Sequence, residues 1–263
     1  MLVEIKNNIL LKLLFIAIVW IIPFNLFSQN INDEEKNNGV ELRGIIYTKF
    51  FQAGLSLNTN GYSLNARRSW SPTAFFERGY EIDIAMIRHP KEVNEYNRYY
   101  VGGNSYAYGK LNSLYTMRFG LGEKHEIAEK IDLGSIEINY FYYGGLTLGG
   151  VKPIYLEINT APISSDYVNI STERYDPNKH NLYNIVGGVP FTKGFSEMKF
   201  YPGIYAKFGL DFDYKVSTKK IGTLETGIVV DYYFKEVPIM ANTKNYSYFL
   251  AFYVSINFGK KWN

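Results

Sequence analysis

Histidine, serine and carboxylate side chains are the groups from which this chain would have to build acid–base or nucleophilic chemistry. It has three histidines in 263 residues and no cysteine, which removes thiolate nucleophiles, thiolate metal sites and disulfide frameworks together. His89 lies near Glu92 and His180 near Asp176, with Ser164, Ser165 and Ser171 as loop hydroxyls. Acyl transfer needs base, nucleophile and orienting group within hydrogen-bond reach. The chain shows neither a nucleophile elbow nor an HExxH spacing. His125 sits in a separate stretch, 123–130, where Glu126 and Lys130 are four apart, the spacing of a short solvated helical turn. These residues define no catalytic set, no metal site and no cofactor. An enzyme working at a membrane rim on lipid or a surface peptide, with His89 or His180 as base, remains the alternative activity.

A second group of charges is placed by alternation. Ile204, Ala206, Phe208, Leu210, Phe212 and Tyr214 interleave with Lys207, Asp211 and Asp213. Leu224, Thr226, Ile228, Val230, Tyr232 and Phe234 interleave with Glu225, Asp231 and Lys235. Successive side chains of a strand point to opposite faces, so each stretch has one apolar face and one charged face. The segment 250–258 repeats the pattern, with Leu250, Phe252, Val254, Ile256 and Phe258 opposite Ala251, Tyr253, Ser255 and Asn257. So does 136–148, with Ile136, Ile138, Tyr140, Tyr142, Leu146 and Leu148 opposite Glu137, Asn139, Tyr143 and Thr147.

These patterns run as long as the ~9–11 residues a transmembrane strand requires, whereas globular strands usually stop near five or six residues. The fold class they predict is all-β: an up-and-down antiparallel transmembrane β-barrel. Further strands fall at 53–57, at 62–69 after an Asn60-Gly61 hairpin turn, at 76–86 after a turn at Ser71-Pro72, and at 115–121. That makes about eight strands, with ten open if 152–158 or 168–175 also enters the sheet. The interior of an eight-stranded barrel is just wide enough for side chains to fill. Lys207, Asp211, Asp213, Glu225, Asp231 and Lys235 then form a polar network in the lumen, either a satisfied core or an ion path. A small channel is a further alternative.

Residues 1–28 have the layout of a secretory signal peptide: Lys6 and Lys12, an apolar stretch from Leu13 to Pro23, then the small residue Ser28. Residues 29–39 are polar and read as a flexible periplasmic N-terminus, leaving 40–263 for the barrel. Aromatics make up 17% of the chain, with 24 tyrosines, which suits interfacial girdles where a ring is apolar along its body and polar at its tip. The net charge of +3 is spread along the chain, so nucleic acid is not an expected partner.

With both termini periplasmic, the long connections 89–112 and 150–199 both face outward, the usual arrangement for such barrels. The first is rich in tyrosine, asparagine, serine and glycine. Tyr96, Arg98, Tyr99, Tyr100, Tyr106 and Tyr108 are its candidate recognition residues, because tyrosine offers rigid contact area and the smaller residues adaptable hydrogen bonds; an aromatic rim beside a glycine-rich loop is the plainer reading. Outer-membrane lipid and a protein of the cell envelope are the expected partners.

The chain resembles the small outer-membrane β-barrel proteins of the Bacteroidetes, the broad group that includes PorT-like proteins. The resemblance is carried by Phe27-Ser28-Gln29, the final strand running into Phe258-Gly259-Lys260-Lys261, and blocks such as Arg88-His89-Pro90-Lys91-Glu92, Tyr108-Gly109-Lys110-Leu111-Asn112 and Lys152-Pro153-Ile154-Tyr155. It implies export to the outer membrane and a non-enzymatic role as an accessory to secretion or envelope assembly.

Overall fold

The computed structural model describes residues 48–73, 76–100, 102–128, 136–161, 167, 169–215 and 220–263. The targeting segment and polar stretch expected at 1–39 lie outside the described residues. Among the described residues thirteen strands follow in order: β1 (Lys49–Asn58), β2 (Gly61–Thr73), β3 (Phe76–Ile87), β4 (Asn94–Glu95), β5 (Tyr106–Ala107), β6 (Asn112–Ala128), β7 (Glu137–Pro153), β8 (Tyr155–Asn159), β9 (Ile170–Arg174), β10 (Ile185–Gly188), β11 (Lys199–Lys215), β12 (Lys220–Val237) and β13 (Tyr246–Trp262). Eight of them close an antiparallel barrel in the order β1-β13-β12-β11-β7-β6-β3-β2. Each strand pairs with its neighbour in the barrel sequence, and β1 meets β13 over ten paired positions. Sheet closure leaves no edge.

The barrel is inside-out relative to a water-soluble one. Leu55, Leu64, Ile84, Met117, Phe119, Leu146, Phe208, Leu250, Phe252 and Ile256 are exposed on its outer wall, while Arg67, Glu81, Asp83, Arg118, Lys207, Asp211, Glu225 and Asp231 are buried inside it. Hydrocarbon is the solvent in which this distribution is stable, because apolar side chains then lose nothing by facing outward and a closed ladder pairs backbone polar groups between neighbouring strands. Aromatic residues flank the apolar band at both ends: Tyr62, Tyr232, Phe234, Tyr246 and Tyr248 near one mouth, Phe51, Trp70, Tyr142 and Trp262 near the other.

The barrel has the eight strands expected: 155–159, which could have raised the number to ten, pairs with 170–174 and with β10 in a separate three-stranded sheet, and β7 ends in Pro153, which has no N–H to continue the ladder. Three local expectations are corrected. Residues 123–128 extend β6 and are not a helical turn, since the run from His125↔Tyr140 to Ala128↔Ile138 pairs with β7; a ladder outweighs one i,i+4 charge pair worth ~0.3–0.5 kcal/mol. The first hairpin loop is Thr59-Asn60, with Gly61 already paired to Asn58. Gly61 has φ 154°, and a Cβ there would stand 1.9 Å from the Met86 carbonyl oxygen. Finally, Ser71 and Pro72 belong to β2, where the register shifts between Trp70 and Thr73 and the Ser71 N–H donates outside that pairing to Thr48 O. The connection to β3 therefore falls after Thr73.

Candidate functional site: a sealed lumen and a loop platform

The interior is built in layers. In the middle, Arg67 donates from Nη1 to Glu225 at 2.8 Å and from Nη2 to Glu81 at 2.7 Å, and its guanidinium carbon lies 4.7 and 4.6 Å from the ring centres of Phe141 and Tyr143. Lys207 donates to both Glu81 oxygens at 3.1 and 3.0 Å and stands 3.8 Å from Asp83. Arg118 grips Asp231 with Nε and Nη2 at 2.8 and 2.7 Å and reaches Asp83 with Nη1 at 2.8 Å. Lys124 pairs with Asp211 at 2.9 Å. Buried charges survive only when paired and hydrogen-bonded, and a planar five-donor guanidinium satisfies two carboxylates at once.

Of the lumen residues expected from alternation, Lys207, Asp211, Asp213, Glu225 and Asp231 are buried inside the barrel. Lys235 is not. It is exposed, because the pairing of β12 with β13 jumps from Tyr232↔Tyr248 to Val237↔Tyr246, and Lys235 stands in the resulting bulge above the barrel proper. Arg67, Arg118 and Lys124 supply most of the positive charge and Glu81 and Asp83 complete the network. Their signal was present, since each occupies the polar parity of its strand, but only the register across the barrel reveals which of them share a layer.

Above the charges the mouth with the long loops is closed by an apolar cluster of Ile87, Leu114, Val151, Tyr233, Val237, Ile239 and Met240. The last two come from the β12–β13 connection, which folds inward and bonds to the neighbouring loop through Leu111 N→Ile239 O at 2.8 Å and Ala241 N→Gly109 O at 2.7 Å. The apolar plug closes this mouth over a layer in which Arg67, Arg118, Lys124 and Lys207 are each paired with carboxylates. Purified protein in planar bilayers is expected to show no steady conductance; a reproducible open level would refute the sealed-lumen reading.

The same mouth carries a platform made from the two long loops. The small sheet β9-β8-β10 packs over its own core of Tyr106, Leu156, Ile158, Tyr175 and Ile185. Tyr106, expected on the recognition surface, is thus buried at 4% exposure: β5 pairs it with Glu95 of β4, turning its ring under the sheet, which needs a core of its own because it stands off the barrel wall. Tyr96, Arg98, Tyr99 and Tyr108 are exposed and Tyr100 is half-buried.

Asn97 holds the loops together. Its buried amide donates to Leu182 O at 2.7 Å and to Ile185 O, and its side-chain oxygen accepts from Tyr99 N at 2.8 Å. Tyr100 OH donates to Tyr183 O at 2.9 Å and accepts from Asn159 at 3.1 Å, while Asn104 and Gly188 exchange a pair of bonds at 3.1 Å each. Lys152 fixes the far part of the second loop, donating to Phe191 O and Lys193 O at 2.8 and 3.1 Å between the rings of Phe191 and Phe195. On this frame Tyr99 and Tyr183 stand 5.3 Å apart, centre to centre, both about two-thirds exposed, with Tyr96 and Leu182 also open to solvent.

No protein-family model matches the chain, and no curated protein does. Solved structures similar to it include a major outer membrane protein from Thermus thermophilus (9% identity, 82% of this chain and 100% of that one, TM-score 0.39). Neisserial surface protein A is similar too (9% identity, 82% and 96%, TM-score 0.37). So is Ail, the attachment invasion locus protein of Yersinia pestis (6% identity, 83% and 100%, TM-score 0.37). Likeness at this level carries nothing about activity or partners.

The histidines do not assemble a catalytic site among the described residues. His89 Nδ1 accepts from Lys91 N at 3.1 Å, and burial together with the nearby Lys91 lowers its pKa. His180 is buried, with Nδ1 accepting from Asp176 N at 3.0 Å and Nε2 placed 3.3 Å from Glu173. Ser171 donates to the other oxygen of the same carboxylate at 2.8 Å, and these two donors hold the Glu173 pKa below the usual range. Serine and histidine thus both donate to the acid, the reverse of a triad in which histidine faces the nucleophile. These groups border an open groove of about 560 Å³ lined by Tyr155, Arg174, Tyr175 and Lys179. His125, on the outer wall at the opposite end, stacks 5.1 Å from Tyr140 and 5.6 Å from Phe76.

Proposed function

We propose that this chain is a non-conducting, non-enzymatic outer-membrane β-barrel whose extracellular loop platform binds a protein of the cell envelope, as an accessory to secretion or outer-membrane assembly. The observation that carries the reading is the rigid mounting of exposed aromatics: Tyr96, Tyr99, Leu182 and Tyr183 stand open to solvent on loops stapled by the buried Asn97. Contiguous apolar surface held in one shape is what a binding site needs, since preorganised aromatic anchors lose little entropy on association and exposed apolar patches mark interaction surfaces. The membrane placement rests on the inverted burial of the barrel wall, and the extracellular side on the length of the loops. The resemblance to small Bacteroidetes barrels points the same way.

Mild detergent extraction and crosslinking through position 96 should return one stoichiometric protein partner. Double substitution Tyr99→Ala and Tyr183→Ala should lower its recovery about tenfold or more, the effect of losing two anchor rings. Asn97→Ala, which leaves the Leu182 and Ile185 carbonyls without their donor, should cost the platform roughly 1–3 kcal/mol of local stability. It is expected to speed amide exchange at 97–100 and 181–185 while the barrel strands stay protected. A solitary monomer from native membranes, or unchanged capture by the double variant, would exclude the platform as the binding site.

A further inference from the structure

The register of β13, β1, β2 and β3 places a second feature on the outer wall. At the short-turn end, Lys260 of β13, Phe51 of β1, Arg68 of β2 and Tyr80 of β3 lie in one cross-strand row. The next row reads Trp262, Lys49, Trp70 and Arg78. Cation and aromatic ring alternate in both directions, and Lys220 of β12 extends the first row beside Lys260. The aromatic members Phe51, Trp70 and Trp262 are 45%, 42% and 36% exposed, and all five cations are exposed.

None of β13, β1, β2 and β3 turns an acid to this face: β13, β1 and β2 contain no acid, and Glu81 and Asp83 of β3 are buried in the lumen while Glu77, of the same parity, takes the Ser69 hydroxyl. The adjacent β6 contributes Glu123, which accepts from Arg78 Nε and Nη2 at 3.0 and 2.6 Å. Lys49, Arg68 and Lys260 make no ion pair among the described residues. A cationic stripe inside an aromatic girdle complements a plane of negative charge lying between hydrocarbon and water. The rings seat at headgroup depth, the long basic side chains extend their charges to the phosphate layer, and guanidinium matches phosphate in geometry.

We propose that this stripe binds the phosphates of anionic glycerophospholipids in the periplasmic leaflet, fixing one side of the barrel to a lipid shell of defined charge. The proposal rests on the membrane-barrel reading and is tested so that the two fail separately. Full-length protein in detergent is first checked for heat-modifiable gel mobility, which reports the closed barrel. Native mass spectrometry then compares retention of added phosphatidylglycerol and phosphatidylcholine. Wild type should retain phosphatidylglycerol preferentially. The variant K49Q/R68Q/K260Q, which spares the Arg78–Glu123 bridge, should lose that preference by roughly tenfold, as expected for removing three interfacial cations. K49R/R68K/K260R should keep it. Equal retention of the two lipids by a heat-modifiable wild type, an unchanged preference in the glutamine variant, or crosslinking of an acidic protein to Lys49 and Lys260 in native membranes would overturn the proposal. Loss of heat-modifiability in wild type would instead overturn the barrel in the membrane.

Discussion

Arg118→Met is expected to destabilise the barrel by about 3–5 kcal/mol, the cost of breaking a buried ion pair from one side. Arg118 is 2% exposed, and its three donors serve two buried acids, Asp83 and Asp231. Without it, Asp83 keeps Lys207 at 3.8 Å and the Ser63 hydroxyl at 3.3 Å, whereas among the described residues Asp231 keeps only the Thr147 hydroxyl at 3.2 Å. The loss therefore falls mainly on Asp231. Urea titration of refolding into detergent micelles, followed by the heat-modifiable band, measures it. The triple variant D83L/R118M/D231L should recover most of the stability, because the penalty lies in stranded charge and not in the absence of a salt bridge. An Arg118→Met protein within about 1 kcal/mol of wild type would mean that water reaches this layer and the lumen is not sealed.

Tyr233→Ala should cost about as much, roughly 3–5 kcal/mol for emptying the volume of a large buried aromatic, and should act on permeability as well. Tyr233 is 0% exposed in the plug, and its hydroxyl lies 2.7 Å from the Thr116 hydroxyl at the boundary with the charge layer. It also fills the space over Gly149, where a Cβ would stand 2.8 Å from its ring. Removing the ring joins the polar layer to the mouth. A small, flickering conductance is expected where wild type has none, together with the lowered urea midpoint. Tyr233→Phe keeps the volume, gives up one hydrogen bond worth about 1 kcal/mol and should stay closed. If Tyr233→Ala remained as stable and as silent as wild type, the seal would have to lie elsewhere than in this cluster.

Both predictions depend on pairings that cross the chain. Arg118 and Asp231 are 113 positions apart, and Thr116 and Tyr233 are 117 apart. Nothing local sets those partners; the stagger of eight strands and the closure of β1 on β13 do. A slip of one residue in any strand would send its charges to lipid and its apolar side chains into the lumen, so the inverted burial of all eight strands and the ion-pair network enforce one register together.

What the amino-acid sequence determined by itself is therefore the two-sidedness of each strand and the resulting class, because the alternation of side chains is a property of the extended backbone at a single residue. The tertiary structure decided the rest. It turned Tyr106 into a core residue under a small sheet that alternation had left open as barrel or loop, and a bulge carried Lys235 out of the lumen. It drew Ile239 and Met240 into the mouth. It also aligned Lys49, Arg68, Arg78 and Lys260, near opposite ends of the chain, into one charged stripe. Each of these outcomes is set by register, bulges and loop return, which are energies of contact between distant segments and have no signature within the segment itself.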